Sequence, residues 1–271
     1  MTTTLSNKVV VITGASSGIG KALVEEALIL GYHVAACARN YEKLQQVFTE
    51  TNKSKLLLFR ADVSKEQDCK DFIDAVVGHW QRIDVLINNA GISMRALFND
   101  LELKVLHELM DINFWGTVYC TKFALPHILE NKGTISSISS IAGYRGLPAR
   151  TGYSASKFAM QGFMEALRTE LLHTGVNVMW ACPGFTSSNI RNTALSADGS
   201  GQKESPLTED KLMTAEACAA IIWEGIEKRK RTIVITFLGK ATVWLNKLFP
   251  AWVDKMTFNR FAKEPNSPLK K

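Results

Sequence analysis

Short apolar segments rich in β-branched residues alternate along the chain with longer segments of helical period. The short segments predict strands over residues 9–13, 33–38, 55–60, 85–88, 134–139, 176–181 and 232–236. The longer ones predict helices near 19–30, 41–51, 65–80, 99–130, 152–173 and 214–229. Continuous apolar strands that alternate with helices are typical of a mostly parallel sheet covered on both faces. We therefore expect an α/β fold, with residues 1–236 as a single doubly wound domain of seven strands.

Two segments depart from this alternation. Residues 186–213 are rich in Ser, Thr, Asn and Gly, and we interpret them as a substrate loop, with a mobile surface excursion as the alternative. Residues 237–271 mix aromatic and basic side chains, and Pro250 interrupts any continuous helix there. We treat this second segment as a C-terminal extension.

The composition is that of an ordinary globular protein, whereas the charge is uneven. The chain has 271 residues, of which 46% are hydrophobic and 21% charged, which argues against a disordered chain, a collagen or a disulfide scaffold. The formal net charge is +6, yet residues 228–271 hold 11 Lys and Arg against two acidic residues. The excess therefore belongs to the extension, which suits a membrane interface, a second subunit or the substrate cleft. No base-reading motif accompanies it, so we expect no nucleic-acid partner.

The cysteines and histidines indicate neither disulfides nor a metal site. The five cysteines are widely spaced without a CxxC pair, which favours reduced, mostly buried thiols, and the five scattered histidines predict no metal. The first residues lack the pattern of a secretory leader, and no transmembrane helix is evident. We expect a cytoplasmic protein, with peripheral membrane contact through the extension as an open alternative.

A glycine-rich turn follows the first predicted strand and precedes a helix. Such a turn brings backbone N–H groups and the positive end of the helix dipole close to a pyrophosphate. The predicted contacts are Gly14, Ser16, Ser17, Gly18, Ile19 and Gly20. The glycine spacing is GxxxGxG rather than GxGxxG, and an ordinary tight turn is the alternative.

The end of the second strand bears on the choice of dinucleotide. NAD-binding sheets place an acidic residue there for the ribose hydroxyls, but no acid lies between Gly31 and Tyr41. Arg39 offers a guanidinium for a 2′-phosphate instead, so we expect NADP(H) to be favoured over NAD(H). A solvated arginine at a strand end is the alternative.

Further polar motifs lie where later strands end, and these ends share one crevice in an open α/β sheet. They are Asn89, Ala90 and Gly91 after the fourth strand, Ser139 and Ser140 after the fifth, and Pro183, Gly184 and Thr186 after the sixth. Tyr153 and Lys157 stand four residues apart on a predicted helix, so both side chains project toward the same crevice. The lysine ammonium, together with the positive nicotinamide of an oxidised dinucleotide, favours the phenolate and should lower the pKa of the tyrosine.

Together these motifs resemble the short-chain dehydrogenase/reductase family. The matches are TGASSGIG at 13–20, NNAG at 88–91, Asn113, Ser140, YSASK at 153–157 and PG at 183–184. The resemblance implies a Rossmann fold and a nicotinamide-dependent oxidoreductase, often a homodimer or homotetramer. It implies that Tyr153 is the acid/base, that Lys157 binds the nicotinamide ribose, and that Ser140 binds the substrate oxygen.

The same resemblance suggests roles for less diagnostic residues. It implies that Asn113 completes a proton relay, that Asp62 and Val63 flank the adenine, and that Thr186 contacts the carboxamide. Alternatives stay open: Asn113 as a buried polar residue that bonds its own helix, Asp62 as a helix cap, Thr186 as a loop cap, and Ser139 in place of Ser140.

Specificity should come from the apolar residues around the expected cleft. The candidates are Ile92, Met94, Leu97, Phe98, Tyr144, Leu147, Phe185 and Ile190. They favour a lipophilic substrate. We therefore expect an NADP(H)-dependent carbonyl reductase or alcohol dehydrogenase. A 3-oxoacyl thioester reductase is the enzymatic alternative, and a non-catalytic dinucleotide sensor or scaffold is the alternative of another class.

Overall fold

A computed structural model describes residues 7–51, 53–184, 186, 190–202 and 212–270. Within these ranges seven strands form one sheet in the order β3-β2-β1-β4-β5-β6-β7, and every neighbouring pair is parallel. The strands are β1 (Val9–Thr13), β2 (His33–Ala38), β3 (Leu56–Arg60), β4 (Val85–Asn88), β5 (Thr134–Ile138), β6 (Asn177–Cys182) and β7 (Thr232–Val234). This architecture confirms the predicted doubly wound α/β fold.

Within the described residues, seven helices occupy the predicted stretches between the strands, and two more follow β7 in the extension, where the pattern predicts none. They are α1 (Gly18–Ile29), α2 (Tyr41–Val47), α3 (Glu66–Trp80), α4 (Leu103–Met110), α5 (Gly116–Asn131), α6 (Thr151–Glu170), α7 (Ala215–Glu227), α8 (Phe237–Leu248) and α9 (Pro250–Ala262). The single helix predicted over 99–130 is in fact two, joined by a π-helical turn over Asp111–Trp115. Strand β7 ends before Thr236, because the Thr236 hydroxyl caps α8 by accepting a hydrogen bond from the Gly239 amide (3.1 Å).

Both faces of the sheet are buried, which explains why its strands are continuously apolar. Alternate side chains of β1 separate onto the two faces: Val10 and Ile12 pack with α1 and α7, and Val11 packs on the side of α3, α5 and α6. Trp223 of α7 ties the first face together, since its indole N–H donates to the Leu23 carbonyl (3.1 Å). These two layers fix the strand ends that carry the polar motifs.

Strands β1 and β4 are neighbours although two other strands separate them in the chain. The chain runs outward from β1 through β2 to β3 and then crosses back to β4, so the strand order reverses between β1 and β4. Ligand crevices of open α/β sheets lie at such a reversal, at the carboxyl ends of the strands. The glycine turn after β1 and the Asn89 segment after β4 both lie there.

The five cysteines are buried and unpaired, as the sequence predicts. Burial raises the pKa of the Cys182 thiol to about 12, so this residue is a packing group rather than a nucleophile. No cluster of three or more potential metal ligands occurs within the described ranges. Over the same ranges, no helix combines the length and the apolar character needed to cross a membrane.

Candidate functional site

A cleft of about 820 Å³ runs along the carboxyl ends of the strands. One end lies beside Arg39 and the glycine turn, the middle beside Ser140 and Tyr153, and the other end beneath α8 and α9. Its walls include sixteen residues named above as site residues: Gly14, Ser16, Ser17, Gly18, Ile19, Gly20, Arg39, Asp62, Val63, Ala90, Gly91, Asn89, Tyr153, Lys157, Pro183 and Gly184. Ser140 and Thr186 also line it, whereas Asn113 lies behind the wall.

The glycine turn has a backbone that side chains would obstruct. Gly14 and Gly18 adopt left-handed conformations, with φ of 68° and 54°. A Cβ on Gly14 would lie 2.7 Å from Ala90 Cα, and one on Gly20 would lie 2.2 Å from the Gly14 carbonyl oxygen. The Asn89 amide holds the turn in place by donating to the carbonyls of Thr13 (2.9 Å) and Gly14 (3.1 Å). The turn is therefore a close-packed cradle that opens toward the cleft.

The first turn of α1 presents its backbone N–H groups at this cradle. Ser17 occupies the N-cap position with extended backbone, and its side chain makes no capping hydrogen bond. Uncapped N–H groups at a helix N-terminus form a binding site for anions. The cradle and the helix end together suit a pyrophosphate.

Arg39 and Lys43 flank the end of the cleft beside the glycine turn, and the sequence pattern predicts only Arg39 there. Arg39 is exposed at the end of β2, and Lys43 lines the cleft beside it. The Asn40 side chain starts α2 by accepting from the Lys43 amide (2.8 Å), which places Lys43 one helical turn after Arg39. The signal that could have identified Lys43 is this Asn cap, because it predicts where α2 begins.

Asp62 lies in the cleft wall and also stabilises a turn. Its Oδ1 accepts hydrogen bonds from the Ser64 amide (3.1 Å) and hydroxyl (2.7 Å). Helix α3 begins only at Glu66, so Asp62 caps the turn that precedes the helix rather than the helix itself. Neighbouring Val63 is buried and packs on Gly116, where a Cβ would lie 2.8 Å from Val63 Cγ2.

Tyr153 and Lys157 lie one turn apart on α6 and both reach the cleft. The Lys157 Nζ donates to the Ile138 carbonyl (2.8 Å) and lies 5.8 Å from the centre of the Tyr153 ring. This carbonyl ends strand β5, so the ammonium is fixed to the sheet. The phenol and the ammonium thus converge at the strand ends, as the i and i+4 spacing predicts.

The two serines after β5 have different surroundings. Ser139 is buried, and its hydroxyl accepts from Gln161 Nε2 (2.8 Å). Ser140 accepts from the Ala142 amide (3.1 Å), and its side chain lies near enough to the Tyr153 phenol to lower the pKa of that phenol. Of the two serines, Ser140 is the one that acts on the phenol.

Asn113 is fully buried in the π-helical turn and bonds the strand-end segment instead of its own helix. Its Oδ1 accepts from the Ile92 amide (2.8 Å), and its Nδ2 donates to the Ile92 carbonyl (3.0 Å) and to Ser156 Oγ (2.9 Å). These bonds tie the turn to the segment after β4 and to α6. A π-helical turn inside an α-helix is frequently found at functional sites.

Burial dominates the protonation of the two titratable groups. Desolvation raises the pKa of Tyr153, although the Ser140 side chain and the charges of Arg150 and Arg191 oppose it. This direction is the reverse of the lowering that the sequence predicts from Lys157 together with a positive nicotinamide. Desolvation also lowers the pKa of Lys157, to about 8.

The segment after β6 closes the floor of the cleft. Gly184 lies so close to Thr236 that a Cβ would sit 2.3 Å from its Cγ2. Thr186 is buried and pairs with Met213, and its carbonyl accepts from Arg191 (2.8 Å). Of the predicted substrate loop, residues 186, 190–202, 212 and 213 are described: the Leu195 amide donates to the Ser93 carbonyl (2.9 Å), and Leu195 lines the cleft.

The apolar lining differs from the prediction. Ile92, Leu147 and Ile190 line the cleft as expected, and Phe185 lies outside the described residues. Four predicted lining residues are wrong: Met94 is buried in a separate core cluster, Leu97 and Phe98 lie away from the cleft, and the Tyr144 hydroxyl accepts from Trp180 Nε1 (2.9 Å). Their side chains turn into the core or toward solvent, which sequence neighbourhood alone does not determine.

The C-terminal helices supply the lining that the prediction lacked. The residues from this segment are Leu238, Gly239, Thr242, Leu245, Trp252, Val253, Met256, Thr257, Arg260, Phe261 and Glu264. Glu264 fastens the segment, because its carboxylate pairs with Arg95 (3.3 Å) and Arg150 (3.1 Å) and all three side chains are nearly buried. The contacts within the chain therefore match the cleft alternative for the extension.

Comparisons with known proteins agree with this geometry. A family profile described as short chain dehydrogenase matches residues 8–198. A relative from Arabidopsis thaliana, named 11-beta-hydroxysteroid dehydrogenase-like 2, is 40% identical over 257 residues, which cover 92% of this chain and 80% of the relative. A solved short chain dehydrogenase/reductase from Burkholderia phymatum in complex with NAD is similar with a TM-score of 0.80 at 23% identity, over 92% of this chain and 95% of that one.

A second solved structure, ElxO with NADP bound, is similar with a TM-score of 0.72 at 27% identity. The alignment covers 85% of this chain and 97% of that one. The profile match includes both the glycine turn after β1 and the helix that carries Tyr153 and Lys157.

Proposed function

The chain belongs to the short-chain dehydrogenase/reductase family, and we propose that it is an NADP(H)-dependent oxidoreductase that acts on a lipophilic ketone or alcohol. The observation that carries the proposal is the convergence of Ser140, Tyr153 and Lys157 in the middle of a single cleft. A cradle suited to a pyrophosphate lies at one end of that cleft, and the apolar side chains of α8 and α9 lie at the other.

The residues around the cradle fit a nicotinamide dinucleotide. The tight backbone turn that Gly14 and Gly20 allow and the uncapped end of α1 suit the pyrophosphate, and Ala90, Gly91 and Thr186 continue the wall toward Tyr153. Asp62 and Val63 line the part assigned to the adenine, and Lys157 would bind the nicotinamide ribose. When bound, the nicotinamide supplies or accepts the hydride.

The preference for NADP(H) rests on two positive side chains. Arg39 and Lys43 are exposed at the end of the cleft beyond the glycine turn. A guanidinium can bind a phosphate through two parallel hydrogen bonds, and a neighbouring ammonium adds a point charge. The pair therefore favours a 2′-phosphate over a free ribose hydroxyl.

Tyr153 would donate the proton during reduction. Because burial raises its pKa above the ordinary value of 10.0, the phenol carries its proton at neutral pH and can deliver it to a carbonyl oxygen. Ser140 would hold that oxygen next to the phenol, since its side chain lines the same part of the cleft and influences the pKa of the phenol. Asn113 positions the Ile92 segment and Ser156 rather than contacting the reacting atoms.

The proposed substrate class rests on the lining of the cleft at its end beneath α8 and α9. Leu147, Ile190, Leu245, Val253 and Phe261 give this part an apolar lining, which favours a bulky lipophilic molecule. The Arabidopsis relative is named as hydroxysteroid dehydrogenase-like. A rigid polycyclic alcohol or ketone of the hydroxysteroid kind is accordingly the proposed substrate class.

Replacement of the phenol tests the assignment. We expect Tyr153→Phe to abolish NADPH oxidation with a panel of lipophilic ketones while NADPH binding, followed by its fluorescence, stays close to that of the unchanged protein. Tyr119→Phe is the matched control, because Tyr119 stacks on Trp115 (5.6 Å) away from the cleft. Turnover that survives in Tyr153→Phe would refute the role of this residue.

A further inference from the structure

The C-terminal helices leave an unusual amount of apolar surface uncovered. Eight large apolar side chains between residues 237 and 258 are about half exposed or more, and Phe237 and Trp244 are 88% and 61% exposed. The docking surface consists of Phe237, Leu238, Trp244, Leu248, Phe249, Trp252, Met256 and Phe258. Contiguous apolar surface of this kind marks an interaction site rather than ordinary exposure of single side chains.

The opposite sides of both helices are fastened to the body of the protein. On α8, Gly239 is buried and the Asn246 side chain donates to the Tyr144 carbonyl (3.2 Å). On α9, Val253, Thr257 and Phe261 are buried at helical spacing. The exposed aromatic residues are therefore held in position by well-packed helices.

Positive charges lie among these apolar residues. On α8, Phe237, Lys240, Trp244 and Lys247 are exposed at intervals of three and four residues, so they share one face of the helix. Lys255 and Lys263 continue the exposed positive charge along and beyond α9. Of the exposed residues described from 237 to 270, the single acidic one is Asp254, and it pairs with Arg145.

This mixture of aromatic and basic side chains distinguishes between two binding partners, a second copy of the chain and an anionic bilayer. A second copy of the chain would bring two net positive faces together in a self-complementary contact, and contact between faces of like charge is costly. An anionic bilayer accepts both components, because the aromatic rings enter the interface while each lysine near the surface contributes about 1 kcal/mol. The chemistry of the surface thus favours anionic lipid.

The docking surface also borders the entrance of the cleft. Leu238, Trp252 and Met256 are about half exposed and line the cleft at the same time. We propose that α8 and α9 dock the protein on the surface of an anionic lipid bilayer, with the entrance of the cleft against the lipid. Passage of substrate from the bilayer into the cleft rests on the proposed function, whereas docking itself does not.

Sedimentation of the full chain with lipid vesicles tests the proposal. We expect binding to phosphatidylcholine vesicles that contain about 30 mol% phosphatidylserine, and weaker binding when sodium chloride is raised or phosphatidylserine is omitted. The substitution pairs Trp244→Ser with Phe249→Ser, and Lys240→Glu with Lys247→Glu, should each weaken binding at least tenfold. None of these four residues lines the cleft, so fluorescence of bound NADPH should stay unchanged and report that the variants are folded.

A control pair separates the docking surface from general hydrophobicity. Ile29 and Phe98 are 79% and 62% exposed on other parts of the protein, and Ile29→Ser with Phe98→Ser should leave vesicle binding unchanged. Equal sedimentation of the original protein and the Trp244 pair would overturn the proposal. Analytical ultracentrifugation adds a second check: loss of a dimer in the Trp244 pair without any change in vesicle binding would assign the surface to a second copy and overturn the proposal as well. Neither measurement requires turnover.

Discussion

Replacing Glu264 by an uncharged residue should loosen the C-terminal segment that lies over the cleft. Glu264 pairs with Arg95 and Arg150, and the three side chains are only 10%, 10% and 13% exposed. Arg150 also stacks on the Phe261 ring, 4.6 Å from its centre, so the same guanidinium meets both the carboxylate and an apolar contact of α9. Glu264→Gln preserves the shape of the side chain but leaves two buried guanidinium groups without their counter-charge.

The expected free-energy cost of Glu264→Gln follows from the burial of Glu264 and its two arginine partners. Removing one partner of a buried ion pair costs about 3–5 kcal/mol, and because the glutamine oxygen still accepts a hydrogen bond, we expect about 3 kcal/mol. Most of the domain does not depend on these contacts, so the cost should appear as local opening of the end of α9 rather than as global unfolding. A change of about 3 kcal/mol corresponds to roughly a 100-fold larger open population.

Amide hydrogen exchange measures this opening directly. We expect faster exchange over 257–264 in Glu264→Gln, an unchanged urea midpoint for the sheet, and a higher KM for a lipophilic substrate because its part of the cleft loses a wall. Glu224→Gln is the control, since Glu224 forms an exposed pair with Lys228 (2.7 Å) that water and salt screen. Exchange that is identical in Glu264→Gln and in the unchanged protein would refute the reasoning.

Three further predictions concern the end of the cleft at the glycine turn, and Lys157. Gly14→Ala adds a Cβ 2.7 Å from Ala90 Cα at a φ of 68°, so NADPH binding by fluorescence titration and the melting temperature should both fall. Gly162→Ala adds a Cβ that meets nothing within 4 Å, so it should lower neither, and the better helix propensity of alanine in α6 should raise the melting temperature slightly. Arg39→Asp should raise the KM for NADPH at least tenfold and favour NADH in steady-state assays, and an unaltered preference for NADPH would contradict the assignment of Arg39. Because burial lowers the pKa of Lys157 to about 8, the unfolded chain binds more protons between that pH and 10.5, and the free energy of unfolding from this group rises with pH there. Urea titrations of Lys157→Met should lack that rise, and an identical pH dependence would contradict the lowered pKa.

The sheet and the central cleft could be predicted because their signals are local. Strands buried on both faces must be continuously apolar, and β1, β2 and β4 start and end where that pattern does. The carboxyl ends of parallel strands meet at one edge, so the glycine turn, Ser140 and the helix with Tyr153 could be assigned to one site before their distances were known.

The remaining features depend on tertiary packing, which the pattern does not contain. The extension has mixed aromatic and basic residues that suit several environments, and tertiary contacts such as the pairing of Glu264 with Arg95 and Arg150 direct it over the cleft. The raised pKa of Tyr153 likewise depends on how far its hydroxyl is buried, a quantity that the i and i+4 spacing with Lys157 does not supply.

Transfer of deuterium tests the central claim most directly. The protein would be incubated with NADPH that carries deuterium at the transferable position of the nicotinamide, together with a panel of ketosteroids and other lipophilic ketones, and the products analysed by mass spectrometry. We expect an alcohol product with one deuterium on its carbinol carbon, formed by the unchanged protein and by Tyr119→Phe but not by Tyr153→Phe. Binding of NADPH without deuterium in any product would contradict the proposed function.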